Sequence, residues 1–130
     1  MMKDYTAWTK RKAYLHNHGI RPTGCNVGDV WWVCLGSNIG FEEDGKNVGY
    51  YRPVIVIRVF SKELFLAVPL TSIPHRGTYY MRCTINKRDS YAMLHQIRTL
   101  DLLRLQRKLG KLSDLQFESL KRRLNKTLLS

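Results

Sequence analysis

Residues 53–70 read PVIVIRVFSKELFLAVPL, and this stretch decides the fold. Its first part, Pro53–Phe60, is rich in β-branched residues, which favour extended strands. The polar segment Ser61–Glu63 then forms a short turn into a second apolar run, Leu64–Leu70. We expect strand pairing to end at Pro69, because proline has no backbone N–H to donate. The stretch therefore predicts two successive strands.

Three further runs extend these two strands into a sheet. Val30–Leu35 (VWWVCL) precedes them in the chain. Thr78–Ile85 and Ser90–Ile97 follow them, and the polar residues Asn86–Asp89 form the turn between these two runs. Five short strands with little helix between them favour a strongly bent antiparallel sheet or barrel over a parallel sheet. The predicted class is mainly β with helices (α+β).

A helix is predicted on each side of the strands. Asp4 caps the first helix, which places Tyr5 and Trp8 on one face and ends near His18–Gly19. After the strands, Asp101–Leu105 forms a helical turn and a basic stretch follows. Ser113 and Gln116 then form a capping box that begins a C-terminal helix. Its apolar stripe consists of Phe117, Leu120, Leu124 and Leu128.

The net charge is the unusual bulk property of this chain. Its 130 residues suit one domain, and 22 Lys and Arg against 10 Asp and Glu give a charge of +12. Such an excess points to a polyanionic partner, which can be nucleic acid, an acidic protein segment or an anionic membrane. No apolar run approaches about 20 residues and no signal peptide is visible, so we expect a cytoplasmic protein without a membrane partner.

The cysteines Cys25, Cys34 and Cys83 predict neither a disulfide framework nor a zinc site. Their number is odd and they lack CxxC spacing. We interpret them as packing residues, and we expect no metal and no cofactor.

Polar residues follow or precede the strands at three places. Tyr51-Arg52 stands before Pro53, Thr71-Ser72 follows Leu70, and His95-Gln96 with Arg98-Thr99 closes the fifth run. Strand ends of a meander can meet at one rim, so these groups can form one site. Arginine and hydroxyl groups suit RNA cleavage without metal, in which the ribose 2′-OH attacks the neighbouring phosphate. An equally good interpretation from chemistry alone is that Arg52 and Arg98 are solvated basic residues.

The order of the motifs resembles the MazF/PemK/Kid family of toxins. The resemblance runs from Gly28 to the C-terminal helix, with residues 1–24 as a helical extension and 28–130 as the shared core. It rests on Gly28-Asp29-Val30-Trp31-Trp32, Gly40 with Glu42 and Gly45, Arg52-Pro53-Val54, Pro69-Leu70-Thr71 and Gln96-Ile97-Arg98-Thr99.

The resemblance implies an SH3-like barrel of the CcdB/MazF type with appended helices, assembled as a homodimer. It also implies a metal-independent, sequence-selective endoribonuclease that cuts single-stranded mRNA, the toxin of a type II toxin–antitoxin system. Arg52 and Thr71 fall on the residues credited with catalysis in the family. A chain this basic should be neutralised by an acidic, partly disordered antitoxin.

Two departures from the family pattern concern proton transfer. His95 stands where some members carry an acidic residue, and Phe41 stands where some carry histidine. His95, which we predict to be catalytic, or Glu42 is therefore the candidate base. The predicted RNA-binding residues are Asn38, Glu42, Lys46, Ser72, His75, Gln96 and Arg98.

Two other functions are compatible with this fold. A relative poisons DNA gyrase by binding it and cuts nothing, and SH3-like barrels also serve as passive RNA-binding modules. The presence of both Arg52 and Thr71 favours the enzyme.

Overall fold

A computed structural model describes residues 3–36, 38, 44, 45 and 51–129. The predicted order of strands and flanking helices is confirmed, with two further strands. The elements are α1 (Tyr5–His18), β1 (Asp29–Cys34), β2 (Tyr51–Val59), β3 (Leu64–Thr71), β4 (Tyr80–Ile85), β5 (Arg88–Met93), β6 (Arg98–Asp101), β7 (Leu105–Lys111) and α2 (Asp114–Leu128). Short 3₁₀ turns at Leu94–Gln96 and Leu102–Arg104 flank β6.

The strands form one curled antiparallel sheet in the order β4-β5-β3-β2-β1-β7, with β6 also paired to β3. One edge of β3 pairs with β2 as far as Pro69, so the predicted end of pairing at this proline holds for this edge alone. The other edge pairs first with β6 and then, at Leu70 and Thr71, with β5. Because β3 has two successive partners along one edge, the sheet bends there into a half-barrel, as predicted.

The two faces of the curled sheet bury two separate apolar clusters. Neighbouring residues of a strand point to opposite faces, so Val30 and Ile55 enter one cluster while Trp31 and Val54 enter the other. The predicted stripe of α2 closes the first cluster, where Leu120 is fully buried.

The N-terminus of α2 is fixed to β4 as well as capped. The Ser113 hydroxyl accepts a hydrogen bond from the Gln116 backbone N–H at 3.2 Å, as the capping box predicts. The Gln116 side chain also accepts from the Thr84 N–H at 2.7 Å and donates to the Thr84 carbonyl at 3.1 Å. These two bonds anchor the helix to a strand of the sheet.

The predicted fifth strand is wrong at its C-terminal end. The strand β5 ends at Met93, and Leu94–Gln96 form a 3₁₀ turn before Arg98 begins β6. At this turn the chain leaves the part of β3 that pairs with β5 and moves to the part that pairs with β6. The bend of the sheet therefore interrupts the run that we predicted as one strand.

The predicted four-residue turn Asn86–Asp89 is shorter than expected. Asn86 and Lys87 both have positive φ angles, 50° and 66°, and β5 already begins at Arg88. A two-residue turn with positive φ at both positions matches the twist of antiparallel strands.

The basic stretch after residue 104 forms β7, a strand that the sequence analysis did not predict. Its residues LQRKLGK contain few strong strand formers, and its conformation comes from pairing with β1. Among the described residues, no helix is both long and apolar enough to span a membrane.

The helix α1 is attached to the sheet mainly through Trp8. Trp8 is 7% exposed, whereas Tyr5, which we placed on the same face, is 47% exposed. The indole ring of Trp8 lies on Gly36, where an added Cβ would stand 2.1 Å from the indole Cζ2 atom. Gly36 also has a φ of +77°, which favours glycine.

We expect Gly36→Ala to detach α1, because a methyl group and the Trp8 ring cannot occupy the same space. Gly24→Ala is the matched control, since Gly24 has a φ of +81° and open space around it. Both changes cost about 1–2 kcal/mol of backbone strain. Only Gly36→Ala should abolish hydrogen-exchange protection of the α1 amides. Equal protection in the two variants would contradict this attachment.

Candidate functional site

A pocket of about 270 Å³ lies at the rim where β2 begins and β3 ends. Val54 pairs with Pro69 in an antiparallel ladder. Arg52, two residues before Val54, and Thr71, two residues after Pro69, therefore lie at the same level. Tyr91 of β5 pairs with Thr71 and brings a third strand to this rim. The pocket is lined by Trp32, Tyr51, Arg52, Pro53, Leu70, Thr71, Ser72 and Ser90.

Arg52 is the cation of this pocket and is only 5% exposed. Its Nη1 donates to the Leu70 carbonyl at 3.1 Å, and its Nε donates to the Asp44 carbonyl at 2.8 Å. These two bonds to backbone carbonyls hold the guanidinium in one orientation. A buried, oriented guanidinium is suited to binding an oxyanion through two parallel hydrogen bonds.

Three Ser and Thr residues, which carry hydroxyl groups, line the same pocket as Arg52. Thr71 is 6% exposed, and its Oγ1 accepts a hydrogen bond from the Ile73 N–H at 3.2 Å. Ser72 follows it at the open side of the pocket, and Ser90 approaches from β5. The pocket therefore combines one fixed positive charge with several small hydrogen-bonding groups.

Two aromatic rings form the other wall of the pocket. Trp32 and Tyr51 stack with their ring centroids 6.0 Å apart and their planes 26° apart. Trp32 is opposite Pro53 in the β1–β2 ladder, which holds it beside the strand that carries Arg52. The wall gives the pocket a flat apolar surface next to its charge.

Three of the predicted site residues meet in this pocket, namely Arg52, Thr71 and Ser72. Asn38 lies beside it: its N–H donates to the Asp44 carboxylate at 2.6 Å, and the Asp44 carbonyl accepts from Arg52. The predicted residues Glu42 and Lys46 lie outside the described residues.

The remaining predicted residues do not line the pocket. His75 and His95 pack against Tyr80, with centroid separations of 4.3 and 5.3 Å. Gln96 lies in the 3₁₀ turn, and Arg98 opens β6 opposite Ala67. The pKa of Arg104 is lowered first by burial and then by repulsion from Arg98. Arg98 therefore lies close to Arg104.

Trp32 and Ser90 are pocket residues that sequence reasoning missed as members of the site. Trp32 belongs to an apolar strand and to a family motif, and neither pattern indicated that it lines a pocket. Ser90 reaches the rim because β5 pairs with β3, and no local pattern indicates that pairing.

Cys34 and Cys83 are buried, Cys25 is half-buried, and none of the three thiols is an activated nucleophile. Burial raises the pKa of Cys25 and of Cys83 to about 11, and it also raises the pKa of Cys34. Within the described ranges, no group of three or more His, Cys, Asp or Glu side chains is placed to hold a metal ion.

Solved structures identify the class of this fold. MazF from Deinococcus radiodurans matches with a TM-score of 0.65 and 18% identity, over 82% of this chain and 97% of that one. A mycobacterial endoribonuclease in complex with its cognate antitoxin matches with a TM-score of 0.61 and 15% identity, over 81% and 95%. The MazE–MazF complex of D. radiodurans gives 0.60 and 17%, over 80% and 94%. The curled half-barrel with its two helices is thus a MazF-like fold.

The family follows from the sequence itself. The profile of the PemK-like, MazF-like toxins of type II toxin–antitoxin systems matches residues 26–128. The chain belongs to this family. No curated protein matches the chain significantly. The helix α1 lies outside the matched segment, and our division into an extension of residues 1–24 and a core of 28–130 stays a prediction.

We expect the thiols to resist alkylation at pH 7.5. A thiol pKa of about 11 instead of 9.0 leaves Cys25 and Cys83 with about a hundredfold less thiolate than ordinary cysteines, and reactivity returns only as the pH rises towards 11. Iodoacetamide labelling followed by mass spectrometry tests this, with the unfolded protein as control. Rapid labelling of the native protein at pH 7.5 would contradict it.

Proposed function

We propose that this protein is a metal-independent endoribonuclease that cleaves single-stranded RNA by attack of a ribose 2′-OH on the adjacent phosphate. The observation that carries the proposal is the rim pocket, where the buried cation Arg52 and the hydroxyl of Thr71 face one small space. Family membership supports the same activity, because a similarly folded mycobacterial protein is an endoribonuclease. We place the activity in the cytoplasm, where it would inhibit translation and growth by cutting mRNA.

Arg52 has the central role in this mechanism. During 2′-OH attack the phosphate becomes a phosphorane with two negative charges, and a guanidinium fixed by carbonyl bonds stabilises that charge without reorganising. Thr71 and Ser72 donate hydrogen bonds that orient the phosphate. The apolar wall of Trp32 and Tyr51 holds an adjacent base or ribose.

The mechanism also needs a base that takes the proton of the 2′-OH and an acid that protonates the leaving 5′-oxygen. His95 and Glu42 stay our candidates, although His95 packs against Tyr80 in the isolated chain. The groove around the pocket would hold RNA through Asn38, Lys46, His75, Gln96 and Arg98. If His95 acts as acid or base, His95→Gln removes one limb of the pH–rate profile and leaves the fold unchanged.

We further propose a homodimer and an acidic antitoxin as partners. An apolar groove of about 440 Å³ between β2, β3 and α2 offers a surface for a second copy, and it includes Ile57, Leu66 and Leu128. The net charge of +12 supports an acidic protein partner, and the similar MazF of D. radiodurans has been solved with MazE.

Cleavage should persist in excess EDTA and leave a 2′,3′-cyclic phosphate. The pocket supplies its positive charge from Arg52. The 2′-oxygen loses its proton and bonds to phosphorus, while the bond from phosphorus to the 5′-oxygen breaks and that oxygen leaves as a hydroxyl. Incubation of purified protein with single-stranded RNA, followed by mass spectrometry of the fragments, tests both points. A substrate with 2′-deoxyribose at the cut position is the control and should resist cleavage. Activity that EDTA abolishes and magnesium restores would overturn the mechanism.

Arg52→Ala and Thr71→Ala should each lower the cleavage rate by about a hundredfold to a thousandfold. Arg52→Lys should recover little, because lysine lacks the planar two-donor geometry, whereas Thr71→Ser should recover most of the rate. Arg122→Ala, which removes an exposed arginine from α2, is the charge-matched control. The double variant should be little slower than the slower single one, since groups that act together are not additive. A folded Arg52→Ala protein with parental activity would refute the site.

Co-expression with an acidic antitoxin should restore growth, and the two proteins should co-purify. The complex should weaken as salt increases, because charge supplies much of the attraction. Size-exclusion chromatography at low and high salt measures this. If the acidic protein encoded beside this chain neither restores growth nor co-purifies, the proposed partner is wrong.

A further inference from the structure

The helix α1 brings basic and aromatic side chains to the candidate site from outside the family segment. It begins at Tyr5, whereas the family profile begins at residue 26. Its sequence YTAWTKRKAYLHNH contains three Lys and Arg and no acidic residue. Trp8 is its buried anchor, and Arg104 of the core lies 5.8 Å from the Trp8 ring. The position of α1 on the sheet is therefore defined by specific contacts.

Arg11 connects α1 to the wall of the rim pocket. Its Nη2 donates a hydrogen bond to the Tyr51 hydroxyl, and its Cζ lies 5.6 Å from the centre of the Tyr51 ring. The same guanidinium lies 5.8 Å from the ring of Tyr14 on α1. Among the described residues no carboxylate pairs with Arg11, and its guanidinium interacts with two aromatic rings and a hydroxyl.

These contacts form a continuous series of planar groups. Tyr51 stacks on Trp32 in the pocket wall, and at the other end Tyr14 stands 5.0 Å from His18. We call this series the planar row, and it consists of His18, Tyr14, Arg11, Tyr51 and Trp32. It leads from the exposed surface of α1 to the pocket of Arg52. Tyr14 is 57% exposed, so its ring can be covered by a ligand.

We propose that the planar row is a second RNA-binding subsite, which stacks unpaired bases that flank the phosphate held in the rim pocket. The proposal rests on the proposed function. Single-stranded RNA presents flat bases on an anionic backbone, and proteins bind it by stacking the bases on aromatic rings and on arginine planes. The row offers both kinds of plane on a basic helix.

Tyr14 is the residue to change, because it is exposed and lies outside the pocket. Tyr14→Leu keeps an apolar side chain and removes the plane, whereas Tyr14→Phe keeps the plane. Lys10→Ala removes a charge from the same helix outside the row and is the electrostatic control. All three variants should keep the parental melting temperature.

The experiment measures RNA affinity by fluorescence anisotropy. The probe is a single-stranded RNA of about 20 nucleotides whose cut site has been mapped with the parental protein, synthesised with 2′-deoxyribose at that site. Tyr14→Leu should bind this probe about fivefold to a hundredfold more weakly, which is the usual range for one stacked base. Tyr14→Phe should bind it like the parental protein, and Lys10→Ala should show only a small, salt-dependent loss.

Shortening the probe gives the sharper result. Trimming the probe from one end should weaken its binding to the parental protein once the flank no longer reaches α1. The same trimming should not change the affinity of Tyr14→Leu for the probe, so the two proteins should bind the shortest probe equally tightly.

Three outcomes would overturn the planar row as an RNA subsite. If the parental protein cuts RNA and Tyr14→Leu binds every probe as tightly as the parental protein does, the subsite fails while the proposed function stands. If Tyr14→Leu binds RNA normally but loses a co-expressed acidic antitoxin, the row belongs to the protein partner. A parental protein that neither cuts nor binds RNA refutes both proposals.

Discussion

The strand β3 hydrogen-bonds with three other strands, and the rest of the structure depends on where it changes partner. One edge stays with β2 as far as Pro69, while the other passes from β6 to β5. The 3₁₀ turn at Leu94–Gln96 lies at that change, because the neighbouring chain must leave one part of the edge before it joins the next. The curl of the sheet follows, and it creates the concave face that α2 covers.

The same constraint explains why a charged group can be buried at the rim. β2 begins beside the end of β3, so Arg52 reaches the carbonyl of Leu70 directly. A guanidinium that is 5% exposed costs free energy to desolvate, and its hydrogen bonds to carbonyls offset part of that cost. The fold thus keeps a cation in a fixed orientation where three strands meet, which a mobile surface arginine cannot provide.

The sequence predicts elements whose signals are local, and it fails where pairing decides the conformation. The strands β1, β2 and β3 could be predicted because their apolar, β-branched runs are bounded by turn residues, and α2 could be predicted from Ser113 and its apolar stripe. The strand β7 could not, because its basic residues become extended only through β1. In the site, the order of the motifs indicated Arg52 and Thr71. Placing Ser90 in the pocket required the pairing of β5 with β3, and finding that His95 lies outside it required the position of the 3₁₀ turn at Leu94–Gln96.

The attachment of α1 through Trp8 and Gly36 has an evolutionary consequence. Trp8 belongs to neither of the two buried clusters, so the half-barrel does not use the helix to complete its core. A barrel that has a glycine at the position of Gly36 already contains the socket, and a short segment with one tryptophan can occupy it. Addition or loss of such a segment leaves the core packing intact. The half-barrel can therefore carry or lack this helix, like a detachable cassette, without any change to its two apolar clusters.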